Sequence, residues 1–195
     1  MVFGFNALLS RMNYINRWGL MRNTRYETLS EHSLCVANIA HILACIANAE
    51  FGESVNPDRV ACSAMYHDIS EIVTGDLPTP VKYKNERIRR EYKNVENDAE
   101  REITSMLPDS IKETVRASVN GDELTEREKR IIKSADKLSA LIKCIEEESN
   151  GNTEFSSAKK STEKALEENL LPETRFFIKN FLPAYSLTLD ELLSK

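Results

Sequence analysis

Apolar residues recur at steps of three and four along almost the whole of this 195-residue chain, and no run alternates apolar with polar residues as a half-buried strand would. That pattern confines the chain to helices packed on helices, so an all-α fold is expected. At this length one substantial core can be buried, while two well-built ones cannot, and a single domain over 1–195 follows.

Local punctuation divides the helical pattern. Ser30 is placed to cap a helix running to about Glu50, with Gly52 near its stop. Asn56-Pro57 supplies a cap followed by proline at the first helical position. The helix it opens carries Val60, Ala61, Ala64, Met65, Ile69 and Ile72 and ends near Gly75. The segment GDLPTPV reads as a rigid loop, because its two prolines stiffen the chain and oppose helix continuation. Beyond it Ile88, Tyr92, Val95, Ala99, Ile103 and Met106 mark the buried stripe of a long helix in a charged background. Thr125 with Glu128 is a capping box opening the helix that holds Ile131, Ala135, Leu138, Leu141 and Ile145, and Asn150-Gly151 closes it. Further helices are expected near 153–169, around Arg175 to Phe181, and after Thr188.

Composition excludes several function classes. A net charge of -5 gives no basic footprint, which argues against a nucleic-acid partner. The N-terminus lacks the basic start, apolar run and cleavage site of a signal peptide. No window approaches a membrane span, so no membrane partner is expected. Cys35, Cys45, Cys62 and Cys144 are scattered without a CxxC pair and read as reduced core residues of a cytoplasmic protein.

The chemistry concentrates at His67-Asp68, inside the otherwise apolar stretch VACSAMYHDISEIV. Ionisable groups are costly in an apolar interior unless something satisfies them, and a His beside an Asp suits a divalent metal. On a helix, Glu71 lies four residues after His67 and three after Asp68, so all three project toward one side. His32 falls in the first turn of the preceding helix, and Asp136 sits at the edge of the apolar stripe in SADKLSALI. Together His32, His67, Asp68 and Asp136 make an incomplete octahedral shell for Mn, Co, Fe or Ni, or a tighter one for Zn. His41, nine residues after His32, is turned ~900° around the helix and faces away. Each of these residues alone has a plainer reading as a core histidine or an ion-pairing aspartate; their joint occurrence is what points to a metal.

The order His32, His67-Asp68, Asp136 resembles the HD-domain superfamily of metal-dependent phosphohydrolases. The strings INRWGLMRN, SEHSL, AMYHDISEIVTGDLPTPVKY and KSADKLSALIKCIEE resemble, along nearly the whole chain, the bacterial YfbR-like 5'-deoxynucleotidases. The resemblance implies a single HD-domain helical bundle. Its metal-binding core would cover about 28–145, its substrate-contacting N-terminal segment 10–27 and its C-terminal helices 153–195. It implies His32, His67, Asp68 and Asp136 as ligands of one divalent ion, cobalt, manganese or similar, and Glu71 as the catalytic carboxylate beside the metal that helps activate the attacking water.

By the same resemblance Arg17 is catalytic and substrate-binding, and Trp18 is its partner: a planar fork of donors for phosphate beside a flat wall for sugar or base. Asp76, Leu77, Pro78 and Thr79 correspond to the substrate loop. The implied activity removes the 5'-phosphate from deoxyribonucleoside monophosphates in preference to ribonucleotides, and a homodimer is implied as well. Gly19 departs from the family pattern, in which proline follows the tryptophan. Two alternatives stand beside this reading. One is another HD phosphohydrolase, acting on a cyclic nucleotide, an alarmone or a nucleoside triphosphate, which Arg17-Trp18 and Asp76 argue against. The other is a metal-containing nucleotide sensor without turnover, which Glu71 argues against.

Overall fold

The structure, a computed structural model, describes residues 2–82 and 84–194. Its helices are α1 (Phe5–Leu9), α2 (Leu29–Phe51), α3 (Pro57–Met65), α4 (Glu71–Thr74), α5 (Thr79–Lys82), α6 (Glu86–Ser105), α7 (Asp109–Asn120), α8 (Glu126–Ser149), α9 (Ser156–Glu168), α10 (Pro172–Asn180) and α11 (Leu189–Leu193). Short 3-10 helices form at Ser10–Tyr14, Thr153–Phe155 and Leu182–Ser186. No strand forms among the described residues; one isolated antiparallel bridge joins Asn16 and Thr28, and the fold is all-α. Two compact units are present. The first comprises residues up to Leu20, Tyr26–Leu34 and Met65–Glu123, and the second Met21–Arg25, Cys35–Ala64 and the chain from Leu124 onward.

In the first unit Phe5, Ile69, Ile103, Leu107 and Val119 form the core, with Tyr66, Ile72, Met106 and Val115 against it. The stripe read along 88–106 is α6, capped by Asn85, whose side chain accepts the Ile88 N–H at 2.9 Å. Helix α7 was not separable in the sequence: DSIKETVRASVN carries few apolar residues, of which Val119 is buried and Val115 packs against the core. Its end at Gly121 uses a left-handed backbone, φ 66, open to glycine without strain.

In the second unit α2, α3, α8, α9 and α10 contribute to one apolar cluster that includes Leu43, Val60, Leu138, Leu166 and Phe177. The expected capping box at Thr125 and Glu128 opens α8, and Asn56 Oδ1 accepts the Arg59 N–H at 3.0 Å at the start of α3. Helix α10 begins at Pro172 rather than near Arg175, since Leu171 is extended and proline fits the first helical turn.

Two expectations are corrected at α2. Its cap is Thr28 rather than Ser30: the Thr28 hydroxyl accepts the Glu31 N–H (3.2 Å), and the Glu31 carboxylate accepts the Thr28 N–H (2.8 Å). The helix is also long and apolar enough to cross a bilayer, with mean hydropathy 1.6, contrary to the expectation that no window approaches a span. Here that apolar length is used inside the protein: Val36, Ala37, Ala40, Leu43, Ala44 and Ala47 are buried in the second unit's core.

Candidate metal centre and active site

The cluster of His32, His67 and Asp68 lies in the first unit and is assembled by two local devices. The first is the bridge. Arg17 N–H donates to Glu27 O (2.9 Å) and Leu29 N–H to Ile15 O (2.8 Å), which lays 15–17 antiparallel against 27–29 and brings Arg17 and Trp18 beside the start of α2. His32 follows one turn later and is wholly buried.

The second device corrects the sequence reading. His67 and Asp68 do not continue a helix: α3 stops at Met65, and residues 66–70 form a turn before α4. Backbone bonds there span three residues, from Ile69 N–H to Tyr66 O (3.0 Å), Glu71 N–H to Asp68 O (3.0 Å) and Ile72 N–H to Ile69 O (3.1 Å). Winding at about 120° rather than about 100° per residue re-aims His67 and Asp68, while buried Ile69 pins the turn to the core.

The result is a compact donor cluster. His32, His67 and Asp68 each offer a ligand atom, all within 4.8 Å of one another. Asp68 Oδ2 stands 3.1 Å from His67 Nε2, 3.6 Å from His32 Nε2 and 3.4 Å from Arg17 Nη1. Two imidazole nitrogens facing one carboxylate oxygen are a mixed N/O set that fits Zn, Mn, Co, Fe or Ni. Glu71 is buried beside it, and its Oε2 has no hydrogen-bond partner among the described residues. Burial, with the charges of Asp68 and Asp76, pushes the Glu71 carboxyl up to about 8 against the pull of Arg17 and Lys82. Asp76 follows Gly75, whose φ of 72 and ψ of 165 suit glycine alone, and its Oδ2 accepts the Trp18 backbone N–H at 3.2 Å. Trp18 itself has a left-handed backbone, φ 59, which bulky residues seldom adopt.

The model of the family described as 5'-deoxynucleotidase YfbR-like matches residues 4–185. The chain belongs to this family. It is 51% identical over 188 residues to a 5'-deoxynucleotidase of Photorhabdus laumondii, covering 96% of this chain and 95% of the relative. A 5'-deoxynucleotidase of Vibrio vulnificus is 50% identical over the same length, covering 96% and 97%. Among solved structures, an HD-domain phosphohydrolase from Listeria innocua superposes with a TM-score of 0.80 at 24% identity, covering 93% of this chain and 87% of that one. The cyanophage S-2L HD phosphohydrolase DatZ, bound to dA and one catalytic Zn2+, gives 0.64 at 17%, covering 91% and 95%. The fold is that of the HD domain.

Of the residues singled out in this YfbR-like sequence, His32, His67, Asp68, Glu71, Arg17, Trp18 and Asp76 all lie in the first unit. Leu77 and Pro78 are half-buried in the loop after Asp76. The expected rigid loop ends there: Thr79 opens α5, where Pro80 sits in the first turn and needs no N–H partner, and the side chain of Thr79 lies outside the described ones. Asp136 belongs to the second unit, half-buried on α8, with Oδ2 3.1 Å from Lys137 Nζ. His41 is in the second unit as well, 3.7 Å from Asp58.

Two further charged residues near the cluster were not singled out in the sequence. Glu27, 8% exposed, accepts from the Trp18 indole and faces Arg17 and His32; it precedes the α2 cap in a segment without periodicity. Lys82 bonds Glu96 at 2.7 Å. Burial alone would lower its ammonium, and the Glu96 carboxylate raises it above the usual lysine range.

Proposed function

We propose that this chain is a divalent-metal-dependent 5'-deoxynucleotidase, hydrolysing deoxyribonucleoside 5'-monophosphates to deoxynucleoside and phosphate with water as the nucleophile. The observation that carries it is the convergence of His32, His67 and Asp68 on one small volume with buried Glu71 and Arg17 at its edge. Relatives named 5'-deoxynucleotidases share about half its residues over almost its whole length, and DatZ carries dA and a catalytic zinc in the same fold.

His32, His67 and Asp68 would hold the ion, and Asp136 joins the ligand set on the sequence resemblance alone. When bound, a divalent ion lowers the pKa of water and neutralises charge on a phosphoryl oxygen. Glu71 is the proton acceptor: its carboxyl is buried beside the ligand cluster with Oε2 open, and burial with the charges of Asp68 and Asp76 raises its affinity for a proton above that of an ordinary carboxylate. Arg17 offers charge-assisted donors to the phosphate, its guanidinium held by Asp68 and Glu27. Trp18 supplies a flat apolar wall for sugar or base, and Asp76 with Leu77, Pro78 and Thr79 forms the loop that contacts the sugar. We assign cobalt or manganese as the activating ion, a homodimer as the assembly and the cytoplasm as the location. The last is supported by Cys35, Cys45, Cys62 and Cys144, all free thiols of the kind a reducing compartment maintains.

The test is phosphate release by chelator-stripped protein supplied with Co2+, Mn2+ or Zn2+, from dAMP, dTMP and dCMP beside AMP. Metal-restored release from the deoxynucleotides is expected. Equal or greater release from AMP refutes the deoxy-selectivity, and turnover only of cyclic nucleotides or triphosphates refutes the substrate class.

A further inference from the structure

Trp18 is held in its left-handed conformation by two acidic groups. Asp76 takes its backbone N–H (3.2 Å), and Glu27 Oε2 takes its indole Nε1–H (2.9 Å). The same Glu27 oxygen stands 3.4 Å from Arg17 Nε, while the Glu27 backbone carbonyl accepts the Arg17 N–H at 2.9 Å. Side chain and main chain of one residue therefore grip the same dipeptide. Glu27 Oε1 is also 3.8 Å from Nδ1 of His32, on the opposite side of the ring from the nitrogen that faces Asp68. That is an electrostatic contact of the kind that orients an imidazole from outside a ligand set. The carboxylate of a residue only 8% exposed is costly unless donors reach it, and the donors that reach this one belong to Arg17 and Trp18, with His32 at electrostatic range.

We propose that Glu27 is a positioning residue: its carboxylate fixes the plane of the Trp18 indole and the fork of Arg17, so that phosphate and sugar or base meet a preset surface. This rests on the reading of Arg17 and Trp18 as substrate contacts. Glu27 touches no reacting atom, and its effect passes through those two side chains. Asp68 still engages Arg17 when Glu27 is replaced, so the guanidinium loosens rather than leaves, whereas the indole N–H loses a charged acceptor.

Trp18 is the sole tryptophan of the chain, which makes its fluorescence a direct readout of the tether. With metal saturated and its content checked by elemental analysis, Glu27→Ala shifts the emission and increases its quenching by acrylamide. It raises KM for dAMP by about tenfold, the size of one charge-assisted hydrogen bond, and changes kcat far less. Glu27→Gln keeps an acceptor for the indole but not the charge facing Arg17. It restores the emission and raises KM by only about threefold. In a double-mutant cycle with Trp18→Phe, which removes the indole N–H, the effects on KM are non-additive.

Unchanged KM and emission in Glu27→Ala, or strict additivity in the cycle, overturns the proposal. If Glu27→Ala does not fold, Glu27→Gln decides, and an unchanged KM overturns it. Should Trp18→Phe and Arg17→Lys both leave KM untouched, it is the substrate-site reading that fails, while the emission of Glu27→Ala still reports whether the tether exists.

Discussion

Replacing Glu128 with glutamine removes one negative charge from a wholly buried position and keeps the shape of the side chain. Glu128 lies in the first turn of α8. Its Oε2 accepts from the Thr125 N–H (2.8 Å) and hydroxyl (2.9 Å), its Oε1 from the Asn56 N–H (3.0 Å), and both oxygens face Arg59 Nη2 at 2.8 and 3.0 Å. Burial alone would raise this carboxyl; the hydrogen bonds from Asn56, Thr125 and Arg59 outweigh it and hold it at about 2. Against 4.5 for an ordinary glutamate, and at about 1.4 kcal/mol per pH unit, the ionised side chain contributes about 3 kcal/mol to folding. Arg59 is about one-third exposed and regains water when its partner loses charge, so no buried unpaired cation adds to the cost.

The sign follows from the direction. A carboxyl depressed in the folded state stabilises fully above about pH 4.5, and that stability is lost as pH falls toward 2. Urea unfolding of the parent and of Glu128→Gln from pH 7 to pH 2 should therefore show a gap of about 3 kcal/mol at neutrality that closes toward zero in acid. Glu147 is depressed to about 2 as well: burial pushes it up, and bonds from Lys143, Thr24 and Asn152 pull it down further. It is present in both proteins, so its titration cancels in the difference. A gap that stays constant from pH 7 to pH 2 would refute the electrostatic account and leave only a packing effect.

At the site, Glu71→Gln should keep its metal by elemental analysis while kcat falls by about 10²–10⁴, the usual contribution of a positioned proton acceptor; an undiminished kcat removes Glu71 from proton transfer. His32→Ala deletes a fully buried donor and should leave the dialysed protein depleted in metal, with activity recovering only at high added metal; full retention would take His32 out of the ligand set. The two glycines flanking Trp18 and Asp76, the proposed substrate contacts, should behave oppositely. Gly75→Ala forces a side chain into a glycine-only conformation, costing about 1–3 kcal/mol in urea unfolding and raising KM through Asp76. Gly19→Ala meets open space, adding about 0.4–1 kcal/mol without a KM change.

What the sequence disclosed was set by the range of the interactions involved. The capping box at Thr125 and Glu128 was readable because three residues contain the whole interaction. The identities at His67 and Asp68 were readable for a similar reason, as adjacent chemistry in an apolar stretch, but their geometry was not. Ala64, Ile69 and Ile72 satisfy a helical repeat well enough that five residues wound at three per turn look the same in a one-dimensional pattern. Glu27 left no trace, because its hydrogen-bond partners lie nine and ten residues back and meet it only once 15–17 pairs with 27–29.

Those non-local contacts matter to the chemistry because they place charge. A phosphate monoester is hydrolysed chiefly by positioning and by neutralising charge spread over its oxygens, which calls for cationic groups on more than one side. Arg17 stands 3.4 Å from Asp68 Oδ2, the same oxygen that faces both histidines. The guanidinium is therefore held within a few ångströms of the proposed ligand set by Asp68, with Glu27 Oε2 3.4 Å from its Nε as the other contact. On the proposed reading, a chain that kept His32, His67 and Asp68 but lost these two anchors would hold a metal while gripping phosphate from one side only, which makes the acidic residues around Arg17 as much a part of the proposed substrate site as Arg17 itself.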